Sequence, residues 1–268
     1  MTVGTVVDIV TSLGALLALP ADVLPGGLGL TVIAVVTGVL ALYAVRFTTD
    51  QKKLEQERDR VLASIYEMRL FIDEPRRVLA AQVHLLKWSM RYTLRTIPAL
   101  LVIGPPLALA YPQLEIRFGM DPFSPGDRAL VRVEGTDPSV RGATLSVTEG
   151  AKVDTPSVWI DDEQRLYYRV EVLQPGLHTL SVDLNGAQIE KQLVAQAGAV
   201  APERVQGVAG LWAFSNEPAL ADDGLIRRIS IDYPASERSF LGMPWWGYWL
   251  LVSMIAAFAL RRPLKVVI

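Results

Sequence analysis

Long uncharged apolar runs occupy residues 23–45, 96–114 and 239–260, and the pattern between them changes character twice. At about 1.5 Å of rise per helical residue, runs of this length cross a hydrocarbon core of roughly 30 Å, so each is expected to be a transmembrane helix. Between the first and second, apolar residues recur at helical spacing. Leu54, Val61, Ile65, Met68 and Ile72 mark one stripe, and Val78, Leu79, Gln82, Val83, Leu86 and Met90 another. Asp73-Glu74-Pro75 is a helix-start signal, with Asp73 as cap and Pro75 in the first turn. Helices over 51–72 and 75–95, joined by so short a break, predict an antiparallel hairpin filling residues 46–95.

Beyond residue 114 the period becomes two. Strands are expected over 129–134, 143–147, 157–160, 165–172, 177–184 and 187–194, with a last one over 225–233. Asn185-Gly186 is a hairpin signal, and Asp161-Asp162-Glu163-Gln164 a second tight reversal. Residues 115–238 therefore read as a small antiparallel β-sandwich. Residues 195–223 have little pattern.

Two segments read less simply. In residues 1–22, Val3, Val6, Val7, Val10, Leu13 and Leu17 make one apolar stripe. The expectation is an amphipathic helix in the outer interface, with a fourth span as the alternative, and Pro25-Gly26-Gly27 turns the chain into the membrane. Pro98, Pro105, Pro106 and Pro112 lie in the second run, which should be kinked or locally unwound there.

Charge then sets the orientation. Residues 46–95 hold 11 Lys/Arg against 7 Asp/Glu, whereas residues 115–238 hold 12 against 19. The tail, 261–268, adds Arg261, Arg262 and Lys265. Positive loops stay inside, which puts the hairpin and the tail in the cytoplasm and the N-terminus and sandwich outside. No segment is basic enough to argue for nucleic acid, and the cytoplasmic cations suit anionic lipid heads instead. There is no cysteine, which excludes disulfides, thiol catalysis and cysteine-ligated metals. Abundant Ala, Val, Leu, Arg and Pro suggest a bacterial inner membrane.

Candidate chemistry is sparse. His84 and His178 fall on opposite sides of the membrane and share no site, the first on the hairpin surface and the second at a strand edge. Asp161, Asp162 and Glu163 read as a solvated turn rather than a calcium site. No nucleophile-elbow, phosphate-loop or dinucleotide glycine motif is present, so neither an enzyme, a metal centre nor a cofactor is expected. Arg46, at the inner end of the first span, either snorkels to the surface or lines a hydrated vestibule with Arg91 and Arg95, which share a helix face. Trp245, Trp246, Tyr248 and Trp249 read as aromatic anchors at the outer interface.

The order of outside N-terminus, span, cytoplasmic hairpin and two further spans resembles the YidC/Oxa/Alb superfamily of membrane-protein insertases in its reduced three-span form. The likeness is carried by Tyr43-Ala44-Val45-Arg46-Phe47, by the hairpin from Gln51 to Trp88, and by Ile97-Pro98-Ala99-Leu100. It covers about half the chain. The resemblance implies a polar groove that eases a client's hydrophilic segment across the bilayer, with Arg46 as groove cation and Thr37 as a polar lining residue. It also makes Ile65, Tyr66 and Phe71 contact candidates for client membrane proteins on the hairpin. Two features depart from the family: Arg46 sits at the end of its span rather than within it, and residues 115–238 form an inserted domain. Residues 168–180 resemble the strand, Pro-Gly turn and strand of immunoglobulin-like domains. Such a domain binds external protein, so the alternative is a structural or interaction subunit of a cell-envelope complex.

Overall fold

The computed structural model describes residues 12, 14–16, 18–24, 27–222, 224–264 and 266. Most of the helix expected over residues 1–22 lies outside them. The chain forms two compact units, Thr31–Leu107 with Trp249–Ile268, and Met1–Leu30 with Ala108–Tyr248.

The first unit is helical. Helix α1 runs Leu28–Thr48, α2 Gln51–Leu70, α3 Pro75–Leu114 and α4 Trp245–Leu260. Among the described residues two helices are long and apolar enough to cross a membrane, α1 and α3 with its extension to Gly119. Helix α3 is one unbroken element of 40 residues, so an arm of the expected hairpin and the second apolar run share a single helix through all four prolines. Helix α4 differs from expectation in length. It has 16 residues, about 24 Å of rise. Its apolar run starts earlier, but Phe240 and Met243 exchange backbone hydrogen bonds across a turn whose Leu241 and Gly242 have φ of 54° and 75°. Pro244 then precedes the helix.

Helices α1 and α4 approach closely where α1 carries Gly38. A Cβ there would lie 2.3 Å from the Ser253 carbonyl oxygen and 3.2 Å from Ala256 Cβ. Small residues at such a crossing let backbones meet, which is how apolar helices associate in lipid. At the hairpin, the Asp50 side chain accepts from Lys53 N at 3.2 Å and caps α2. That hydrogen bond, with the Lys53 ammonium beside it, holds the Asp50 carboxyl below its ordinary range. Pro75 opens α3, as a first-turn proline should.

The other unit is dominated by antiparallel strands: β1 Arg128–Gly135, β2 Thr144–Val147, β3 Ala151–Ile160, β4 Arg165–Val172, β5 Gly176–Leu184, β6 Ala187–Ala195, β7 Glu203–Val205 and β8 Ile226–Ile231. They form a five-stranded sheet of order β3-β4-β1-β8-β7 and a three-stranded sheet of order β2-β5-β6. Inward residues from both sheets share one core, including Val131, Val133, Val170, Val172, Leu180, Val182, Leu193 and Ile229. Asn185 and Gly186 both adopt positive φ, 54° and 84°, the geometry of the tight turn between β5 and β6. Strand β7 and the first half of β3 were not expected. The first is too short for a period to show, and the second carries Pro156 and two register shifts on an edge strand.

The lower end of α3 passes into this unit through a π-helical turn, Glu115–Gly119. A helix end leaves carbonyls without partners, and here three carbonyls at this end accept from outside the helical ladder. Arg117 Nη1 donates to the Gln113 carbonyl at 2.8 Å, Val200 N to Ile116 O at 2.9 Å and Ser236 N to Gly119 O at 2.9 Å. The entering and leaving segments then pair, Met120 with Ala235.

Candidate functional site

The hairpin of α2 and α3 holds the residues expected to meet a client. Its contacts are antiparallel: Arg95 Nη2 lies 3.1 Å from Glu57 Oε1, and the Arg60 guanidinium sits 4.2 Å over the Trp88 ring. Lys87 and Arg91 also approach that ring, at 5.6 and 5.1 Å. Among the less exposed positions, one row runs at 54, 57, 61, 64 and 68 on α2 and on to 71 just past its end, and another at 78, 81, 85, 88, 92, 95 and 99 on α3. Both follow an alternating step of three and four, the spacing of a coiled-coil seam. Glu57 occupies the seam at 5% exposure, and its second oxygen, Oε2, is buried with no hydrogen-bond partner among the described residues.

The apolar stripe read from the sequence of α3 is not this seam. Val78 alone belongs to it, while Leu79, Gln82, Val83, Leu86 and Met90 face outward and are exposed. Ile65 and Ile72, assigned to the α2 stripe, are likewise exposed. The inner seam contains Ser64, Ala81 and Arg95, whereas the outer row has the larger apolar side chains. Hydrophobicity alone therefore picked out the more exposed face of α3, because the contact face mixes Val78, Leu85 and Trp88 with Ala81, Tyr92 and Arg95.

At the hairpin end, Ala63, Tyr66, Glu67, Arg69, Leu70 and Phe71 line an open concavity of about 870 Å³. Tyr66, Leu70 and Ile72 are 66%, 75% and 74% exposed. Phe71 is half-buried, with the Arg77 guanidinium 4.4 Å over its ring. Two of the three expected contact residues, Tyr66 and Phe71, thus share the concavity, and Ile65 is exposed outside its lining.

The expected groove residues have separate engagements. Arg46 Nη1 donates to the Leu264 carbonyl at 3.2 Å, so it ties the inner end of α1 to the turn after α4. Thr37 is half-buried. Thr37 and Arg46 stand about 180° apart around the axis of α1 at 3.6 residues per turn, so they project from opposite faces. Arg95 pairs with Glu57 and Arg91 packs on Trp88. Among the aromatic residues of α4, Trp245 is buried, and its Nε1 donates to Glu115 Oε2 at 3.2 Å. Tyr248 packs on Phe240 with ring centroids 5.4 Å apart, Trp249 is buried, and Trp246 is exposed.

In the β-rich unit, His178 departs from expectation: it lies on the central strand of the three-stranded sheet and is buried. Its Nε2 donates to the Gln174 carbonyl at 2.8 Å, and the ring occupies the space a Cβ on Gly150 would need. His84 is exposed. The acidic turn is engaged internally. Trp159 Nε1 donates to Asp161 at 2.5 Å, and the Tyr167 hydroxyl donates to Glu163, which keeps that carboxyl below its ordinary range. Among the described residues no three His, Asp or Glu side chains gather where they could hold a metal.

A buried polar relay escaped sequence reasoning. Lys191, wholly buried on β6, donates to Glu217, to the Ala201 carbonyl and to the Gln192 carbonyl. Glu217 Oε1 accepts from Gln192 N at 2.8 Å, and Glu217 N donates to Ser215 Oγ at 3.0 Å. The Ser215 carbonyl accepts from Gln113 Nε2 at 2.8 Å, and Gln113 Oε1 from Arg117 Nη1 at 3.0 Å. Arg117 completes the series with a two-pronged pair to Asp22, at 2.8 and 2.9 Å. Burial pulls the Lys191 ammonium below the usual lysine range, and the Glu217 carboxylate beside it pushes the other way. Such an arrangement fixes geometry rather than performing chemistry: each group is spent on a neighbour. One signal was available, since Lys191 falls on the inward phase of β6 with Ile189 and Leu193. Glu217 lies in the segment without pattern.

No family model, curated protein or solved structure matches the chain.

Proposed function

We propose that the chain is an insertase-like membrane factor that assists the insertion or assembly of other membrane proteins. The observation that carries this reading is the hairpin end, where Tyr66 and Leu70 stand exposed in the lining of an open concavity, next to an exposed Ile72. An apolar hollow on a water-facing arm suits a transient apolar client segment. The arm is set between two membrane-length helices, α1 and α3. In this reading α4 is a short third span packed on α1 through Gly38. The N-terminus and β-rich unit lie outside, the hairpin and tail lie in the cytoplasm, and the membrane is the bacterial inner one. The order of elements supports kinship with the YidC/Oxa/Alb superfamily, with an inserted immunoglobulin-like domain.

The test uses proteoliposomes holding the full chain, a single-span client with a short polar N-terminal tail, and a photoreactive residue at Tyr66. Nascent-chain adducts at Tyr66 and client insertion well above empty liposomes are expected. Arg46→Glu should lower insertion several-fold while leaving the thermal midpoint in place. Insertion equal to empty liposomes sinks the proposal.

A second reading is favoured by strand β3. It is an edge strand with Val158 58% exposed and Ile160 37% exposed, a surface on which an external protein could pair. A subunit of an envelope complex would lose its partner in a detergent pull-down when Val158 becomes Lys, whereas the insertase would keep its Tyr66 adducts.

A further inference from the structure

The outer face of α3 carries a second seam that is left exposed among the described residues. Leu79, Val83, Leu86, Met90 and Leu94 follow steps of four, three, four and four, and all are between 55% and 71% exposed. The row spans about 22 Å of helix. It consists wholly of aliphatic and thioether side chains, whereas the seam that α3 buries against α2 mixes Val78, Leu85 and Trp88 with Ala81, Tyr92 and Arg95.

Charge borders the row on one sign only. Arg76 stands three residues before Leu79, Lys87 four after Val83 and three before Met90, and Arg91 three before Leu94. Each is therefore a surface neighbour of the row. All three are exposed, and none makes an ion pair among the described residues. From Pro75 to Arg95 the helix contains no Asp or Glu.

Two occupants fail on these facts. The bilayer fails on reach. Helix α3 continues unbroken from this arm into its apolar run, so with the membrane boundary near Thr96 only Leu94 and Met90 lie within about 10 Å of it along the axis, whereas Leu86, Val83 and Leu79 lie about 15 to 25 Å beyond. A second copy docked row to row fails on charge, because it would set Arg76, Lys87 and Arg91 against themselves.

We infer that the outer face of α3 receives an amphipathic α-helix of another protein, one whose apolar stripe is flanked by Asp and Glu. The inference rests on the reading of this hairpin as a protein-contacting arm, and it names a surface separate from the Tyr66 concavity. The apolar row supplies the anchors at coiled-coil spacing, and the three cations select an acidic border and fix the register.

The test uses the full chain in neutral phosphatidylcholine nanodiscs and two fluorescent synthetic 21-residue helices with the same leucine stripe. One is flanked by Glu and the other by Lys. The Glu-flanked helix should bind at least tenfold more tightly. The pair Leu86→Asp and Met90→Asp should abolish that binding, and the pair Lys87→Glu and Arg91→Glu should shift preference to the Lys-flanked helix. Leu86 and Met90 are exposed, so the thermal midpoint should hold in that variant, whereas Lys87 and Arg91 also approach the Trp88 ring and their variant is read by the exchange of preference between the two helices. Equal binding of both helices, or binding untouched by Leu86→Asp, overturns the inference. So does a dimer in sedimentation that dissociates with Leu86→Asp, which would make a second copy the occupant, or row protection seen only with anionic lipid. Client adducts at Tyr66 read the concavity separately. If they persist while the helices fail to bind, the insertase reading stands and the inference falls.

Discussion

Lys191 and Glu217 illustrate how a buried charge is held. Removing the lysine alone leaves a carboxylate with little water and no counter-charge, which costs about 3–5 kcal/mol. Lys191→Met should therefore lower unfolding free energy by that amount, measured by urea unfolding of the detergent-solubilised chain through tryptophan fluorescence. The double variant Lys191→Met, Glu217→Gln should recover most of it. The amide remains an acceptor for Gln192 N, and no buried charge is left. Tyr233 gives a pH-dependent counterpart. Its hydroxyl oxygen accepts from Val194 N at 2.8 Å, and burial pushes its ionisation well above the ordinary tyrosine range. The folded chain thus keeps a proton that the unfolded chain loses above about pH 10. The contribution is complete below that pH and is lost as pH rises towards the folded value. Tyr233→Phe should cost about 1–2 kcal/mol at pH 8 by leaving Val194 N without its acceptor. Plotted from pH 8 to 11, the gap between the two chains should narrow above pH 10. A constant gap would mean that Tyr233 titrates normally.

Among the elements, the close approach of α1 and α4 is the most exposed to test. A side chain on Gly38 would collide with a backbone oxygen that cannot rotate away, unlike the flexible end of a long side chain. Gly38→Val should cost about 1–3 kcal/mol by forcing the helices apart. A thermal midpoint unchanged from the parent would mean that the two helices do not meet there. The helices and strands show what pattern can and cannot reveal. Strands β4 and β5 were legible because Val170, Val172, Leu180 and Val182 alternate with polar residues, and β6 because Asn185-Gly186 fixes the turn before it. The α1 and α3 runs were legible from length and lack of charge. The hairpin seam was legible on α2, where Leu54, Val61 and Met68 of the expected stripe lie on it, but on α3 only at Val78. Ala81, Ser64, Glu57 and Arg95 are unremarkable in sequence and become a contact only through small size and mutual pairing. The start of α4 was misplaced because the turn at Leu241-Gly242 lies inside an apolar run, where hydropathy sees no boundary. Of the candidate site, Tyr66 and Phe71 were named only as what the family resemblance implies for the hairpin. The concavity between them depends on how α2 ends, which no residue pattern records.

For the whole molecule, every functional reading turns on which side of the membrane each unit occupies. The excess of Lys and Arg in residues 46–95 and of Asp and Glu in residues 115–238 argues for a cytoplasmic hairpin and an external β-rich unit. The absence of cysteine makes a direct measurement clean, since any introduced thiol is the sole one. Tyr66 and Asp162 are both exposed, so either accepts a thiol with little effect on folding. In spheroplasts treated with a membrane-impermeant maleimide, Asp162→Cys should label at once. Tyr66→Cys should label only after permeabilisation. The reverse result would place the Tyr66 concavity outside, out of reach of nascent chains, and would end the insertase reading. Labelling of both from outside would also end it, because the hairpin and the β-rich unit would then share a compartment. If the expected pattern is found, Leu86→Cys extends the argument. Its thiol should label from the cytoplasm alone, and slowly once the Glu-flanked helix is added, because a seated helix covers Leu86 and leaves Tyr66 open.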